Sequence, residues 1–424
     1  MSSSNKIVRI ASISAAAVLV LALAACSESG TSGAGDAEGG EIKIGRLLPL
    51  SGGLADLGNR VGNGAEAARI MANKDNCLNA EFVWATVDAP DDQAARQGAE
   101  RLMNEGVDIV YGTYGSSLAL AASPVVARAG GIYWEEGATA EALVDQDLDG
   151  FYRISAAASA MGSDAVDFAA EVLAPELGVD PSELTIAFAG VNTSYGEDAF
   201  AGVNEAAEEH GMEVVLEAVY ATDSTNLSSV ALQLKDAAPD IVVLTNYPPD
   251  GAVLGRALRA ADVNPLAFIG TGGAHADSSW VEAMGTTGNG FFSSGPAAEI
   301  ELTGLLPDAQ ERNTEFVATF EEEFGSQPAG FDRMGFDAAW LLFDTICSAG
   351  STDPAAIKKA VAKLDLPERS LLSGDGVSFD DRGQNERAGW IVSQWQDGIL
   401  VPVAPLDLGV REPALIPLPQ WSER

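Results

Sequence analysis

A run of small and hydroxylated residues, Gly112-Thr113-Tyr114-Gly115-Ser116-Ser117, follows an apolar run at residues 107–111 and precedes a stretch with helical spacing. Where a loop joins a strand to a helix in this way, the first backbone N–H groups of the helix lack helical partners and attract negative charge. We therefore expect Ser116 and Ser117 to hold an anionic group such as a carboxylate. The alternative is that a serine here only caps its own helix.

A second loop of the same kind follows the next apolar run, which ends in Tyr133-Trp134-Glu135-Glu136 and turns through Gly137-Ala138-Thr139. A carboxylate beside an aromatic face suits a cationic group. We expect Glu135 or Glu136 to bind an amine. The alternative is that both are solvated acids, among the 62 Asp and Glu residues of the chain.

The residue types needed for catalysis are scarce. The chain has only two histidines, His210 and His275, which disfavours metal sites and acid–base chemistry. The segment at residues 192–196 resembles a nucleophile elbow without its first glycine, and only His275 could serve as a base there. The segment at residues 270–273 resembles the start of a dinucleotide-binding fingerprint, but the third glycine of that fingerprint is missing. We expect no cofactor, no metal and no enzymatic activity.

Composition limits the partners of the chain. It has 424 residues, 47% of them apolar, and 24 Lys and Arg against 62 Asp and Glu, for a net charge of −38. This is the composition of a globular protein with more than one compact unit. So acidic a chain repels phosphate backbones and anionic lipid headgroups, so we expect no nucleic-acid partner.

The elements that must position these loops alternate along the chain. Short apolar runs alternate with amphipathic segments from residue 41 to residue 134, and the same rhythm restarts after Phe151 and continues to Gly270. Such alternation predicts two α/β lobes with parallel sheets. Three helices are expected at residues 309–324, 334–349 and 354–363, the last capped by Asp353 and opened by Pro354, followed by β-like runs at 389–395 and 399–403.

The start of the chain has the pattern of an export signal. Lys6 and Arg9 precede an apolar stretch at residues 10–24, and Leu23-Ala24-Ala25-Cys26 is similar to a bacterial lipobox, in which the cysteine is lipidated. The alternative is an ordinary secretory signal with a chance cysteine. A Gly- and Ser-rich tether follows to residue 40.

Two cysteines, Cys77 and Cys347, remain once Cys26 is assigned to the lipid anchor. An exported chain can form disulfides. The sequence leaves a disulfide and two separately buried thiols equally open.

Several segments in order resemble the periplasmic solute-binding proteins of branched-chain amino acid ABC transporters: IKIGRLLPLSGGLADLGNRVGNGAEAA, DIVYGTYGSSLALAASPVVARAGGIYW, GATAEAL, FYRISAAASAMGSDAVDF and YGEDAFAGV. The resemblance implies two Rossmann-like lobes joined by a three-crossover hinge that close on a ligand. The crossovers would fall near residues 153–157, 290–294 and 373–379. The implied organisation is a signal peptide at 1–25, an anchor and tether at 26–40, lobe I at 41–154 plus 294–375, lobe II at 155–293 plus 376–405, and a tail at 406–424.

The resemblance also implies ligand contacts. In the family a serine matching Ser116 contacts the ligand carboxylate, a pair matching Ala138 and Thr139 supplies a carbonyl and a hydroxyl, and tyrosines matching Tyr195 and Tyr247 face the ligand. The full set of expected ligand-binding residues is Tyr114, Ser116, Ser117, Trp134, Glu136, Ala138, Thr139, Tyr195, Asn246, Tyr247 and Gly272.

Two positions depart from the family pattern. Gly272 stands where relatives have an acid for the ligand's ammonium group, and Leu57 stands where amino-acid binders often have an aromatic residue. Either the acid has moved to Glu135 or Glu136, or the ligand lacks an amine.

The function that follows is that of an extracytoplasmic, lipid-anchored substrate-binding protein. It would capture a small polar ligand, an amino acid or a related compound, and deliver it to an ABC permease and its ATPase. We expect a monomer that contacts the membrane only through its N-terminal lipid. The alternative is a receptor subunit with the same fold that reports its ligand to a signalling system.

Overall fold

The computed structural model describes residues 40–297, 302–405 and 411–424. The predicted export signal, Cys26 and the tether before Gly40 lie outside the described residues, as do residues 406–410 of the predicted tail. None of the helices within the described ranges combines the length and the apolar character needed to cross a membrane.

The first sheet has five parallel strands in the order β2-β1-β3-β4-β5. With the helices that cover it, this sheet is called the first lobe. Its strands are β1 (Glu41–Leu48), β2 (Glu81–Asp88), β3 (Ile109–Gly112), β4 (Ile132–Glu135) and β5 (Phe151–Arg153).

The second sheet has seven strands in the order β12-β11-β10-β9-β8-β6-β7 and is called, with its helices, the second lobe. The pairs from β7 to β10 are parallel, whereas β11 and β12 add antiparallel strands at one edge. The strands are β6 (Thr185–Val191), β7 (Glu213–Tyr220), β8 (Ile241–Thr245), β9 (Ala267–Gly270), β10 (Phe292–Gly295), β11 (Ile391–Gln396) and β12 (Ile399–Ala404). The predicted fold, two α/β lobes with mainly parallel sheets, is confirmed.

The helices alternate with the strands, as the crossovers between parallel strands require. They are α1 (Ala55–Asp75), α2 (Asp92–Asn104), α3 (Ser116–Arg128), α4 (Ala142–Asp145), α5 (Ala158–Phe168), α6 (Ala174–Leu177), α7 (Ser194–His210), α8 (Ser228–Ala237), α9 (Pro248–Ala261), α10 (Ser279–Met284), α11 (Pro307–Phe324), α12 (Gly330–Ala349) and α13 (Pro354–Val361). The predicted cap of α13 is confirmed, because the Asp353 carboxylate accepts the N–H of Ala355 at 2.7 Å.

One close helix pair in each lobe depends on glycine. In the first lobe, a Cβ added at Gly64 of α1 would lie 1.8 Å from the carbonyl oxygen of Asp332 in α12. In the second lobe, a Cβ at Gly202 of α7 would lie 1.9 Å from the carbonyl oxygen of Ser159 in α5. No side chain fits at either position, so these glycines set the distance between the helices.

Cys77, just after α1, and Cys347, in α12, form a disulfide with their Cα atoms 5.7 Å apart. Of the two alternatives that the sequence left open, the structure has the disulfide. It ties together the two helices that cover one face of the first sheet.

The chain passes between the lobes after β5, after β10 and again before β11. At the first passage Arg153 is fully buried, and its guanidinium donates to the carbonyl of Ala140 at 2.7 Å and to the side-chain oxygen of Gln384 at 2.5 Å. Because β10 extends to Gly295 in the second sheet, the second passage begins after that residue and not at residues 290–294. The exact lobe limits stay predictions.

Candidate ligand-binding site

An opening with about 340 Å³ of empty space lies between the two lobes and is called the outer chamber. The loops after β3 and β4 line it from the first lobe, and α5, α7 and the loops after β8 and β9 line it from the second. The lining includes Tyr114, Ser116, Thr139, Tyr195, Tyr247 and Trp390. The carboxyl ends of parallel strands are where open α/β sheets bind ligands.

Five of the predicted site residues meet in this chamber: Tyr114, Ser116, Thr139, Tyr195 and Tyr247. The Tyr195 hydroxyl donates to the carbonyl of Thr271 at 2.5 Å, so its ring faces the chamber while its hydroxyl is engaged. Ser117 is exposed and lines a wider groove at the mouth of the cleft.

Gly272 adjoins the outer chamber. A Cβ added there would lie 3.6 Å from Met161 and from Pro296, which both line the chamber, but its φ of +74° favours glycine. The position therefore lies next to residues that line the chamber and brings no charge there.

Two further predicted residues, Trp134 and Asn246, do not line the outer chamber, and the prediction for them is corrected. Trp134 is fully buried in the first lobe, where its indole N–H donates to the carbonyl of Ala338 at 2.8 Å. Asn246 is also buried, and its side-chain oxygen is 2.8 Å from the Nε2 atom of His275. Ala138 is buried and its N–H donates to Glu135 at 2.7 Å, and the ligand contact expected of its carbonyl stays a prediction.

Four backbone donors in the loops after β3 and β4 already have an anion of the protein's own, although the N–H groups of the first turn of α3 are not among them. The buried Glu135 carboxylate accepts the N–H groups of Thr113 at 2.7 Å, Tyr114 at 3.2 Å, Gly137 at 3.0 Å and Ala138 at 2.7 Å. Burial raises the pKa of Glu135, and these four donors oppose that shift. Glu135 is therefore a structural anion, and of the two glutamates predicted as alternatives for an amine, Glu136 stays the candidate.

Ser116 has a related role. Its Oγ atom accepts the N–H groups of Thr139 and Ala140, both at 3.2 Å, so it ties the loop after β4 to the start of α3. The Ser116 hydroxyl can still donate its own proton to a ligand.

Glu136 has the opposite environment to Glu135. It is fully buried, and neither of its carboxyl oxygens has a hydrogen-bond partner among the described residues. Burial, together with the nearby charge of Glu135, raises the pKa of Glu136 well above its usual range. A buried carboxyl without partners is unfavourable unless another group meets it.

The Glu136 carboxyl lines a second opening, the inner chamber, which has about 540 Å³ of empty space. It lies where the three passages between the lobes come together, and its lining includes Glu136, Ser155, Arg333, Asp337, Asp375 and Trp390. Pro296, Met334 and Trp390 line both chambers, so the two chambers are adjacent.

Several lining residues were missed by sequence reasoning. Met161 of α5, Phe331 and Met334 of α12, and Trp390 just before β11 all contribute to the outer chamber. These residues come from distant parts of the chain, and an apolar residue on a helix gives no signal that distinguishes a ligand space from the core.

The lobes also make direct polar contacts outside the chambers. The Arg60 guanidinium of α1 lies 2.6 Å from the Asp277 carboxylate and donates to the Ser278 hydroxyl at 2.6 Å, and both partners belong to the second lobe. The N–H of Glu141 in the first lobe donates to the Asp198 carboxylate of α7 at 2.8 Å. The two lobes are thus held together in a closed arrangement.

His275 belongs to the core of the second lobe. Its ring is buried 4.5 Å from that of Trp280, and burial lowers its pKa to about 3. Its Nε2 atom is engaged with Asn246, so it does not act as a base for Ser194. Within the described ranges, no group of three or more His, Cys, Asp or Glu residues could hold a metal ion.

A sequence profile of the periplasmic binding proteins matches residues 41–398, most of the chain. The chain belongs to the periplasmic binding protein family. Among its curated relatives is Leu/Ile/Val-binding protein homolog 8 of Brucella abortus (strain 2308), which is 33% identical over 369 residues, or 86% of this chain and 91% of the relative. The family resemblance seen in the sequence is confirmed.

Solved structures of this periplasmic binding protein fold match closely. The leucine binding protein LivK from Thermotoga maritima MSB8 has a TM-score of 0.73 and 21% identity, and the match covers 87% of this chain and 100% of the other. A solute binding protein of an ABC transporter from R. palustris, solved in complex with benzoate, has a TM-score of 0.72 and 19% identity, with 88% and 97% covered. At sequence identities this low, the matches show only that the folds are similar.

Membership gives the protein its class and its place in the cell. It is an extracytoplasmic substrate-binding protein and not an enzyme.

Proposed function

We propose that this protein captures a small polar ligand, an amino acid or a related compound, between its lobes and delivers it unchanged to an ABC permease. The observation that supports this most is the outer chamber, because loops from both lobes line it at the carboxyl ends of their strands. A ligand that contacts both lobes favours the closed state over the open one.

The lining of the outer chamber suits a partly apolar ligand with a polar group. Ser116 and Thr139 supply hydroxyls from the first lobe, and Tyr195 and Tyr247, whose ring centroids lie 5.4 Å apart, supply an aromatic wall from the second. Burial raises the pKa of Tyr247, so its hydroxyl stays protonated and can donate. Few polar groups on an apolar wall are typical of small-molecule sites.

The names of the relatives support a small-molecule ligand but do not identify which one binds here. The Brucella relative carries Leu/Ile/Val in its name, and the R. palustris protein was solved with benzoate. The ligand of the present chain is proposed from its own residues.

A panel experiment tests the proposal. The purified protein would be heated with amino acids, aliphatic amines and short carboxylates, and a ligand present at 100 times its Kd should stabilise the fold by about 2.7 kcal/mol, which raises the unfolding midpoint by several degrees. The same ligand should be recovered intact after incubation. Absence of a shift with every compound, or consumption of the compound, would contradict the proposal.

The lipid anchor is a separate part of the proposal and rests on Leu23-Ala24-Ala25-Cys26 after the apolar stretch. Cells that express the Cys26→Ala variant should release the protein from the membrane fraction, whereas wild-type protein stays there and incorporates labelled fatty acid. Equal membrane retention of the two proteins would contradict the anchor.

A further inference from the structure

Two adjacent glutamates, the last residue of β4 and the first residue after it, have opposite surroundings. Glu135 receives four backbone N–H groups, whereas Glu136 receives none and turns into the inner chamber. Both are fully buried. The carboxylate of Glu135 is thus bound by the protein itself, whereas the carboxyl group of Glu136 is available to a ligand.

Glu135 meets N–H groups of two first-lobe loops. Its partners are Thr113 and Tyr114, before α3, and Gly137 and Ala138, after β4, so a ligand carboxylate at this point would meet a like charge and occupied donors. The N–H groups of the first turn of α3 are not among these partners.

Glu136 favours a cation in the inner chamber. The chamber is lined by three carboxyl groups, those of Glu136, Asp337 and Asp375, and by one guanidinium, that of Arg333. Asp337 already accepts the N–H groups of Leu372 and Ser373, both at 2.9 Å, whereas Glu136 has no such partner among the described residues. An ammonium group at Glu136 would form a buried, charge-assisted hydrogen bond.

The approach to the inner chamber also suits a cation. Tyr114, Phe331 and Trp390 present aromatic rings along the outer chamber, and ring faces attract organic cations. The groove at the mouth is lined by the exposed acids Asp91, Asp92 and Asp223, which raise the local concentration of positive ligands.

We propose that the ligand is an organic cation, a protonated amine on a short carbon chain, whose nitrogen binds Glu136 in the inner chamber while its chain fills the outer chamber. This inference rests on the proposed function, since it names the ligand class of the same cleft. A metal ion is a poor occupant, because no metal-ligating cluster exists in the described part of the chain.

Calorimetric titration tests the proposal with matched probes. The probes are the diamines from ethane-1,2-diamine to hexane-1,6-diamine, butylamine, the neutral isostere butane-1,4-diol, leucine and benzoate. We expect at least one diamine or butylamine to bind and butane-1,4-diol not to bind. The Glu136→Gln variant should bind that amine at least tenfold more weakly. Glu197→Gln, which removes the same charge from an exposed position of α7, should stay within twofold of wild type.

A second readout uses the wild-type protein and does not depend on how the variant folds. Because burial favours the protonated form of Glu136, arrival of an ammonium group should expel a proton. Titrations in two buffers with different ionisation enthalpies should therefore show proton release near neutral pH.

The outcomes separate this inference from the proposed function. Equal affinity of Glu136→Gln and wild type for the amine, or equal binding of amine and diol, would overturn the inference. Binding of leucine or benzoate without any of the amines would overturn it and leave the proposed function standing. Binding of none of the probes would count against both.

Discussion

The same substitution at Glu135 and at Glu136 should have different effects on stability. In Glu135→Gln the side-chain amide keeps one acceptor oxygen, and its NH₂ group faces an N–H donor. Oε1 of Glu135 serves Tyr114, Gly137 and Ala138, and Oε2 serves Thr113, so at least one buried N–H group loses its partner.

The magnitude follows from these four contacts. An unsatisfied buried donor costs about 1–3 kcal/mol, and hydrogen bonds to a charged acceptor are worth about 1.5–3 kcal/mol against about 0.5–1.5 kcal/mol for neutral ones. Removal of a buried charge offsets part of this loss. We expect the free energy of unfolding to fall by about 2–4 kcal/mol in Glu135→Gln. In Glu136→Gln no hydrogen bond of the described residues is broken, and the change should stay within about 1 kcal/mol.

Urea unfolding at pH 7, followed by tryptophan fluorescence, measures both variants against wild type. A lower midpoint for Glu135→Gln alone, with an unchanged slope, is the expected result. Equal losses in the two variants, or a larger loss in Glu136→Gln, would refute the division of roles between these two glutamates.

Three further predictions concern the rest of the molecule. Arg60→Ala removes the ion pair with Asp277 between the lobes. X-ray scattering should show a larger radius of gyration for the ligand-free variant, and ligand binding should weaken about three- to tenfold. Unchanged scattering would count against a role of Arg60 in holding the lobes together. Replacement of Cys77 and Cys347 together by alanine should lower the free energy of unfolding by about 2–5 kcal/mol in urea titrations, because the disulfide closes a long loop, and a change below about 1 kcal/mol would contradict this. Burial raises the pKa of Asp250 to about 7, above its value in the unfolded chain. The contribution of protonated Asp250 to the free energy of unfolding is therefore fully present below pH ~4 and is lost as the pH rises through 7. Urea titrations should give a lower free energy of unfolding at pH 8 than at pH 5, and Asp250→Asn should flatten this dependence.

Most of the fold could be predicted because each long element carries its own signal. Apolar spacing predicted a helix at residues 309–324, and the structure has α11 at Pro307–Phe324. The Asp353-Pro354 pair marked the start of α13 correctly. Short strands such as β5, with three residues, carry too little periodicity to be found in this way.

The candidate site was predictable only in part, for a physical reason. The order of strand, loop and helix placed Ser116 at the cleft, and the family resemblance placed Thr139 there. Neither could tell which acceptor the backbone N–H groups of these loops would meet. That acceptor is Glu135, which lies 22 positions from Thr113 in the chain and beside it in space. Trp134 and Glu135 do not form one aromatic and acidic site, because alternate residues of β4 point to opposite faces of the sheet.

Glu136 should hold an organic cation in the cleft, and the cation should leave the protein unaltered. A crystal structure of the protein with its tightest-binding amine shows where the nitrogen binds. We expect an intact amine between the lobes, with its nitrogen about 3 Å from a Glu136 carboxyl oxygen. An amine bound outside the cleft, or one whose nitrogen lies away from an empty inner chamber, would contradict it.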